Sequence, residues 1–371
     1  MNRVTTASFC AIMMVLALVA AGCGSSSSSP SPSHHFSFTI DQGIWVANGT
    51  NVLEYTSPFT SRTPNIAPSV AITNSAGFLS TQGVLFDTVG DLWVIDGGAL
   101  ATSSTGDAFP AIDEFTAGQI ASGGTLDLTP AVQITGDATT LAFPQQAVFD
   151  STGNMWVTDN SAGQVDVFTA DQLVDGGNVA PFATLTTNTQ TDVFDGPLGI
   201  VFDSSGDLWV ANNGDTSIFE FDAATVTTVL GGGTTSAEPN VILSSADNSI
   251  EGPWALVFST LGDLWSSNAN SPFTVVAFDG ADLGTSGSPA PGVTFSPVNV
   301  KHVPSLNSPN GLAFDDVDDL AVANSVPTVS IAIFASDQLG DSGKTKPKVL
   351  ISGSNTGLVA PAGDAFGPEI P

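Results

Sequence analysis

Residues 196–213 read GPLGIVFDSSGDLWVANN, and this stretch decides the fold. GIVF and LWVAN are apolar and β-favouring, and each is too short to show a helical period. Between them lies DSSGD. Asp203 can hydrogen-bond within its own turn, and Gly206 supplies the positive φ of a tight reversal. An apolar run, an Asx/Gly turn and a second apolar run predict a β-hairpin.

The phrase recurs as GVLFDTVGDLWVID (83–96), AVFDSTGNMWVTD (147–159), ALVFSTLGDLWSSN (255–268) and GLAFDDVDDLAVAN (311–324), with a worn copy, FSFTIDQGIWVAN, at 36–48. The Phe anchors are Phe38, Phe86, Phe149, Phe202, Phe258 and Phe314. Seven residues after each stands Trp45, Trp93, Trp156, Trp209, Trp265 and, in the last copy, Ala321. Five of the six Trp therefore share one repeat position.

Two further signals accompany each copy. One is an apolar run ending in an aromatic, such as VLEY (52–55), IDEF (112–115) and IFEF (218–221). The other is a Pro followed by alternating residues, such as PSVAI (68–72) and PNVIL (239–243). Each unit of roughly 56 residues thus carries four strand signals. Such a repeat predicts an all-β, six-bladed β-propeller of four-stranded antiparallel blades over 36–371. A lone four-stranded sheet cannot bury both faces, whereas six arranged radially bury each other. The Trp is expected to fill the gap between blades, and Ala321 implies a bulkier neighbour or a looser sixth blade. Phe36–Ile40 is expected to supply the first strand of blade one, with PAGDAF (361–366) as the rival for that place.

Residues 1–23 stand outside the repeat. Arg3 precedes an apolar run from Ala11 to Ala21, which fits a secretory signal and is too short to span a bilayer. Its end, LVAAGC, resembles a bacterial lipoprotein signal, which implies lipidation at Cys23. Cys10 lies inside the signal, so the processed chain holds Cys23 alone and has no disulfide. Residues 24–35, GSSSSSPSPSHH, read as a flexible tether. The expectation is an exported, membrane-anchored lipoprotein, periplasmic or on the cell surface, touching the membrane only through its lipid.

Lys plus Arg number six against 36 Asp plus Glu, a formal net charge of −30. Arg62 is the only cation between residues 24 and 300. Nucleic-acid binding needs cationic neutralisation of phosphates, so it is excluded, and anionic substrates are disfavoured. A protein, a glycan or a small molecule remains as partner. Lys344, Lys346 and Lys348 flank Pro347, where they are expected to blunt an edge strand.

Function is sought in the loops. Two outgrow the repeat: 97–111 and LGGGTTSAEP at 230–239. Asn48, Asp96, Asp159, Asn212, Asn268 and Asn324 recur three residues after the Trp position and are read as caps of the turn that follows. The segments leading into the first strands, FDGPLG (194–199), IEGPWA (250–255) and NSPNGLA (307–313), place Asp195, Glu251, Asn307 and Asn310 near the channel mouth. Carboxylate and amide oxygens suit Ca²⁺ or another divalent cation, so these four are the candidate metal ligands. The acidic turn around Asp315, Asp316, Asp318 and Asp319 lacks the Gly and spacing of an EF-hand loop. No His-Glu-x-x-His, Gly-x-Ser-x-Gly or phosphate loop occurs.

The repeated phrase resembles the NHL-type propeller repeats of extracellular bacterial proteins. That resemblance speaks for a fold and leaves function open. EGPW (251–254) and PNGLAF (309–314) are similar to metal-binding segments of the SMP-30/gluconolactonase family, which implies ligands at Glu251 and Asn310. In that family the Glu-Gly-Pro opens the first blade, whereas here it opens the fifth, and the family's Pro-Asp-Gly segment is absent. Streptogramin lyases need channel His residues, and beyond the tether this chain has only His302. The leading expectation is an exported binding or scaffold module. The alternative is a metal-dependent, lactonase-like hydrolase.

Overall fold

A computed structural model describes residues 42–74, 77–98, 109–187, 192–246 and 248–367. Within them the chain forms six blades, each built on four antiparallel strands. Blade 4 shows the pattern. Pro197–Phe202 (strand a) pairs with Leu208–Asn212 (b), then Ser217–Phe221 (c) and Val241–Leu243 (d). The a strands are Thr81–Phe86, Pro144–Phe149, Pro197–Phe202, Pro253–Phe258, Pro309–Phe314 and Pro361–Gly367. Each touches the next, and the last closes back on the first around a central channel.

Blade 1 is completed by the chain's C-terminal strand. Pro361–Gly367 pairs antiparallel with Gly43–Asn48, setting Phe366 opposite Ile44 and Ala365 opposite Trp45. Phe366 therefore takes the anchor position expected of Phe38. This corrects the sequence reading, which gave that place to Phe36–Ile40, a segment outside the described residues. Three positions before the Phe, four a strands carry Gly and blade 5 carries Ala255, which lets neighbouring strands lie close; blade 3 carries Gln146 there. A Cβ on Gly83 would sit 2.8 Å from the Gln145 carbonyl, and one on Gly199 2.5 Å from that of Trp254.

The indoles wedge the blades together. Trp45, Trp93, Trp156, Trp209 and Trp265 each meet the Phe of the following blade edge-on, at centroid distances of 5.5, 6.0, 5.6, 6.1 and 5.8 Å. This is the geometry the ring quadrupole favours. At the sixth interface Ala321 shares its apolar cluster with Tyr55, Phe59 and Phe366, so neighbouring aromatics fill the space an indole would take.

The enlarged segment 230–239 is not a free loop. Gly233–Ala237 forms a fifth strand, parallel to strand d of the preceding blade, Ala183–Thr187. Gly124–Leu128 does the same on Val70–Asn74. Single bridges from Gly177, Gly287 and Gly343 cover Ile134, Leu243 and Phe295. At blade 6, Leu350 N donates to Arg62 O (2.9 Å) and Ser352 N to Pro64 O (3.1 Å). Each outer strand is thus covered by a segment of the following blade. This is how the fold manages its edges, in place of the lysine screen expected around Pro347. Loop 97–111 lies mostly outside the described residues.

Three short helices follow strand c: Ala117–Ile120, Ala170–Asp175 and Ala223–Val229. The TAGQ and TADQ phrases encode capping boxes there, Thr116 with Gln119 and Thr169 with Gln172. Among the described residues no helix is long and apolar enough to cross a membrane.

Candidate binding site in the central channel

The recurring Asx residues hold the channel face in place. Asp96 accepts from the amides of Leu79 (2.8 Å) and Ser80 (2.7 Å), and Asp159 from those of Ala142 (2.6 Å) and Phe143 (2.9 Å). Asn212, Asn268 and Asn324 accept from Asp195, Glu251 and Asn307, and Asn48 from Val359 and Ala360. They pin the segment leading into strand a of the same blade, and most also hold the b-to-c turn as expected: Asp96 accepts from Gly98 N, while Asn48, Asn268 and Asn324 donate to Asn51, Thr274 and Ser330. Asp159 does both, since it also accepts from Ala162 N. Asp159→Ala strands three amides and is expected to cost about 2–3 kcal/mol, read as a lowered urea midpoint.

The four candidate metal ligands follow this scaffold. Asp195 and Glu251 sit on the d-to-a segments of blades 4 and 5, and Asp195 is exposed. Asn307 is buried, and its side-chain amide donates to Ser325 O (3.3 Å). Asn310 lies within strand a of blade 6, and its Oδ1 accepts from Ser308 Oγ (3.2 Å). No hydrogen bond among the described residues joins any of the four to another. His302 is exposed in the turn of a small hairpin, Asn299–Val300 with Val303–Pro304, and does not line the channel cavity.

The channel holds a cavity of about 250 Å³ walled by all six a strands. Its lining is Gly, Ala, Val, Leu, Ile and Phe except for two side chains, Gln146 and Asp364. Gln146 reaches from blade 3 to blade 6, where its Nε2 donates to Asn310 O (3.5 Å). Asp364 is buried, and desolvation holds its carboxyl well above the ordinary carboxylate range, its own backbone amide opposing this only in part. No neighbouring charge contributes to that rise. An apolar pocket with a few converging polar groups is the ordinary form of a small-ligand site. Sequence reasoning missed Asp364 because its strand had been given only a rival's part in blade 1.

The opposite face carries acidic clefts. Asp87, Asp91 and Glu114 bring one carboxylate oxygen each within 4.8 Å of one another, a grouping able to hold a metal ion. They border a cleft of about 840 Å³ between blades 2 and 3. Two of the three already have structural duties. Asp87 accepts from Val89 N, Asp91 N and the Trp93 indole, and Asp91 accepts from Ala117 N at a helix start. Asp203 and Asp207 do the same in blade 4, so the arrangement belongs to the repeat. Burial, a hydrogen bond to Asp91 and the charges of Asp91 and Asp87 push Glu114 up to about 7. Burial and the charges of Asp207, Asp222 and Asp203 do the same for Glu220.

Asp113 and Asp166 on strand c are also raised by burial, to about 7 and about 6. Asp113 keeps donors from Gln133 (2.7 Å) and Asn74 (3.2 Å), and Asp166 from Thr184 (2.8 Å) and Gln164. In the unfolded chain such groups titrate near about 4. Between about pH 4 and the folded values, the unfolded state releases protons that the folded state keeps, so stability falls as pH rises through that window. The melting temperature is expected to be higher at pH 5 than at pH 8, and Asp113→Asn is expected to flatten the difference.

No protein-family model matches the chain, and no curated protein does. Among solved structures it is similar to the periplasmic gluconolactonase of Pseudomonas aeruginosa, at 15% identity over 89% of this chain and 99% of that one, with a TM-score of 0.56. It is also similar to a protein of unknown function from Bacteroides caccae, at 10% identity over 89% and 100%, again with a TM-score of 0.56. At these identities the likeness is one of fold.

Proposed function

We propose that this chain is an exported lipoprotein whose propeller serves as a binding or scaffold module at the cell envelope. The LVAAGC signal and the serine-rich tether support the anchor, and the net charge of −30 disfavours anionic partners. The observation that carries the binding reading is the channel lining. Among the described residues it offers one carboxyl and one carboxamide in an apolar wall, and no His, Cys, Ser, Thr or Lys. Hydrolysis calls for a positioned base and donors aimed at the developing charge, whereas this lining is suited to seating a ligand.

The competing lactonase-like reading rests on Glu251 and Asn310 as metal ligands. A thermal shift series with Ca²⁺, Zn²⁺ and Mn²⁺, repeated on Glu251→Gln, separates the two. The binding reading expects no metal response that depends on Glu251. A shift abolished in Glu251→Gln would favour the enzyme. For the anchor, Cys23→Ser is expected to move the protein from the membrane fraction to the soluble fraction. Unchanged partition would overturn lipidation.

A further inference from the structure

Two residues before the anchor Phe, the six a strands place Val84, Ala147, Ile200, Leu256, Leu312 and Asp364, all in the wall of the channel cavity. Five equivalent positions are apolar and the sixth carries a carboxyl. Asp364 is 8% exposed, and beyond its own backbone amide neither of its oxygens has a hydrogen-bond partner. Its seat depends on Gly311 of the adjacent blade, where any Cβ would collide with Oδ1 of Asp364. A buried carboxyl short of donors costs free energy that a sixth apolar residue would not. Gln146, the other polar side chain of the lining, spends an N–H on Asn310. Its carboxamide oxygen is left as an acceptor.

We propose that the central channel binds a small organic cation, a primary ammonium on an apolar body, with Asp364 as its anionic partner. This deepens the binding-module reading and rests on it. A divalent ion is the poorer match. Ca²⁺ takes six to eight oxygen ligands, and the side chains of this lining offer one carboxyl and one carboxamide. An anion or a polyhydroxylated sugar would find too few donors. An ammonium brings three N–H donors and a single charge, which suits one carboxylate and one carboxamide oxygen. A cavity of about 150 Å³ already seats a benzene-sized body. The space of about 250 Å³ here accommodates an alkyl chain against Val84, Ile200, Leu256 and Leu312.

Binding requires the carboxyl to turn from its seat against Gly311 towards the occupant. Burial favours the protonated carboxyl. On binding, that proton leaves to solvent and the carboxylate pairs with the ammonium.

The test is calorimetric titration of the wild-type protein and Asp364→Asn at pH 6, with n-butylammonium, n-butanol, K⁺ and Ca²⁺ as probes. The expected result is saturable butylammonium binding, weakened roughly tenfold or more by Asp364→Asn, with no butanol or K⁺ binding. Titrations in two buffers of different ionisation heat are expected to show net proton release on ammonium binding. Absence of saturable butylammonium binding, equal binding by the variant, or preference for Ca²⁺ would overturn the proposal. Should Asp364→Asn fail to fold, wild-type proton release decides, and a value of zero overturns it. None of these outcomes touches the fractionation or Glu251→Gln tests, so failure here is distinguishable from failure of the binding-module reading.

Discussion

Trp156→Ala is expected to destabilise the protein by about 3–5 kcal/mol, the range for removing a large buried aromatic. Trp156 is fully buried on strand b of blade 3, Met155–Asp159. It meets Phe202 of blade 4 edge-on at 5.6 Å. Its Nε1 donates to Asp150 Oδ2 at 3.1 Å, the residue that also closes the a-to-b turn through Thr152 and Asn154. The substitution therefore opens a cavity between two blades and removes a donor from a turn carboxylate. Blades that bear on one another around a ring cannot relax independently, so the loss is expected to lower the midpoint of a single transition. Trp156→Phe keeps most of the volume and is expected to recover about half of the loss. Urea denaturation of the three proteins checks the order, and an Ala variant within about 1 kcal/mol of wild type would show that the indole is not a wedge.

Asp364→Val is expected to stabilise the protein at pH 8 by about 1–3 kcal/mol. Valine has one side-chain heavy atom fewer than aspartate and suits a strand, and replacing buried charge by packed apolar atoms is often favourable by that amount. The gain is expected to shrink at pH 5. Burial favours the protonated carboxyl more strongly there, so less of the cost of a buried charge is being removed. The sign follows from linkage. A carboxyl whose proton is held more tightly in the fold loses stability as pH rises from the unfolded value towards the folded one. Melting curves of wild type and variant at pH 5 and pH 8 give the comparison. A variant less stable than wild type at pH 8 would show that Asp364 is satisfied by a partner in the apo protein.

The blade pattern was legible because burial fixes it. The Phe must close strand a and the Trp must fill the gap to the next blade, so both recur at constant spacing in blades 2 to 5. The channel wall was legible only to a reader who noticed a second constraint. Gly83, Gly199, Gly311 and Gly363 stand three residues before Phe86, Phe202, Phe314 and Phe366, where neighbouring a strands touch. His35 holds that place before Phe38, so FSFTI lacks the small residue that PAGDAF supplies. That difference favours PAGDAF, although Gln146 stands at the same place before Phe149, so the pairing with Gly43–Asn48 is what identifies the closing strand, and with it Asp364.

Other features left less trace. GTTSA at 233–237 is polar and β-branched, and its pairing partner lies about one unit away in sequence, so its strand character is set by the neighbouring blade. The lead-in amides that Asp96 and Asp159 hold lie 16 or 17 residues upstream, and the Asx pattern itself fits a local cap equally well.

The account turns on a ring of six blades closed by the C-terminal strand. Its most direct test is a chain ending at Ala360, which removes Pro361–Gly367, compared with the full chain by circular dichroism melting and size-exclusion chromatography. The predicted result is loss of the single cooperative transition and an expanded or aggregated species, since blade 1 loses its inner strand and the ring opens between Gly311 and Gly83. A truncated protein that stays compact and melts as the full chain does would contradict this closure.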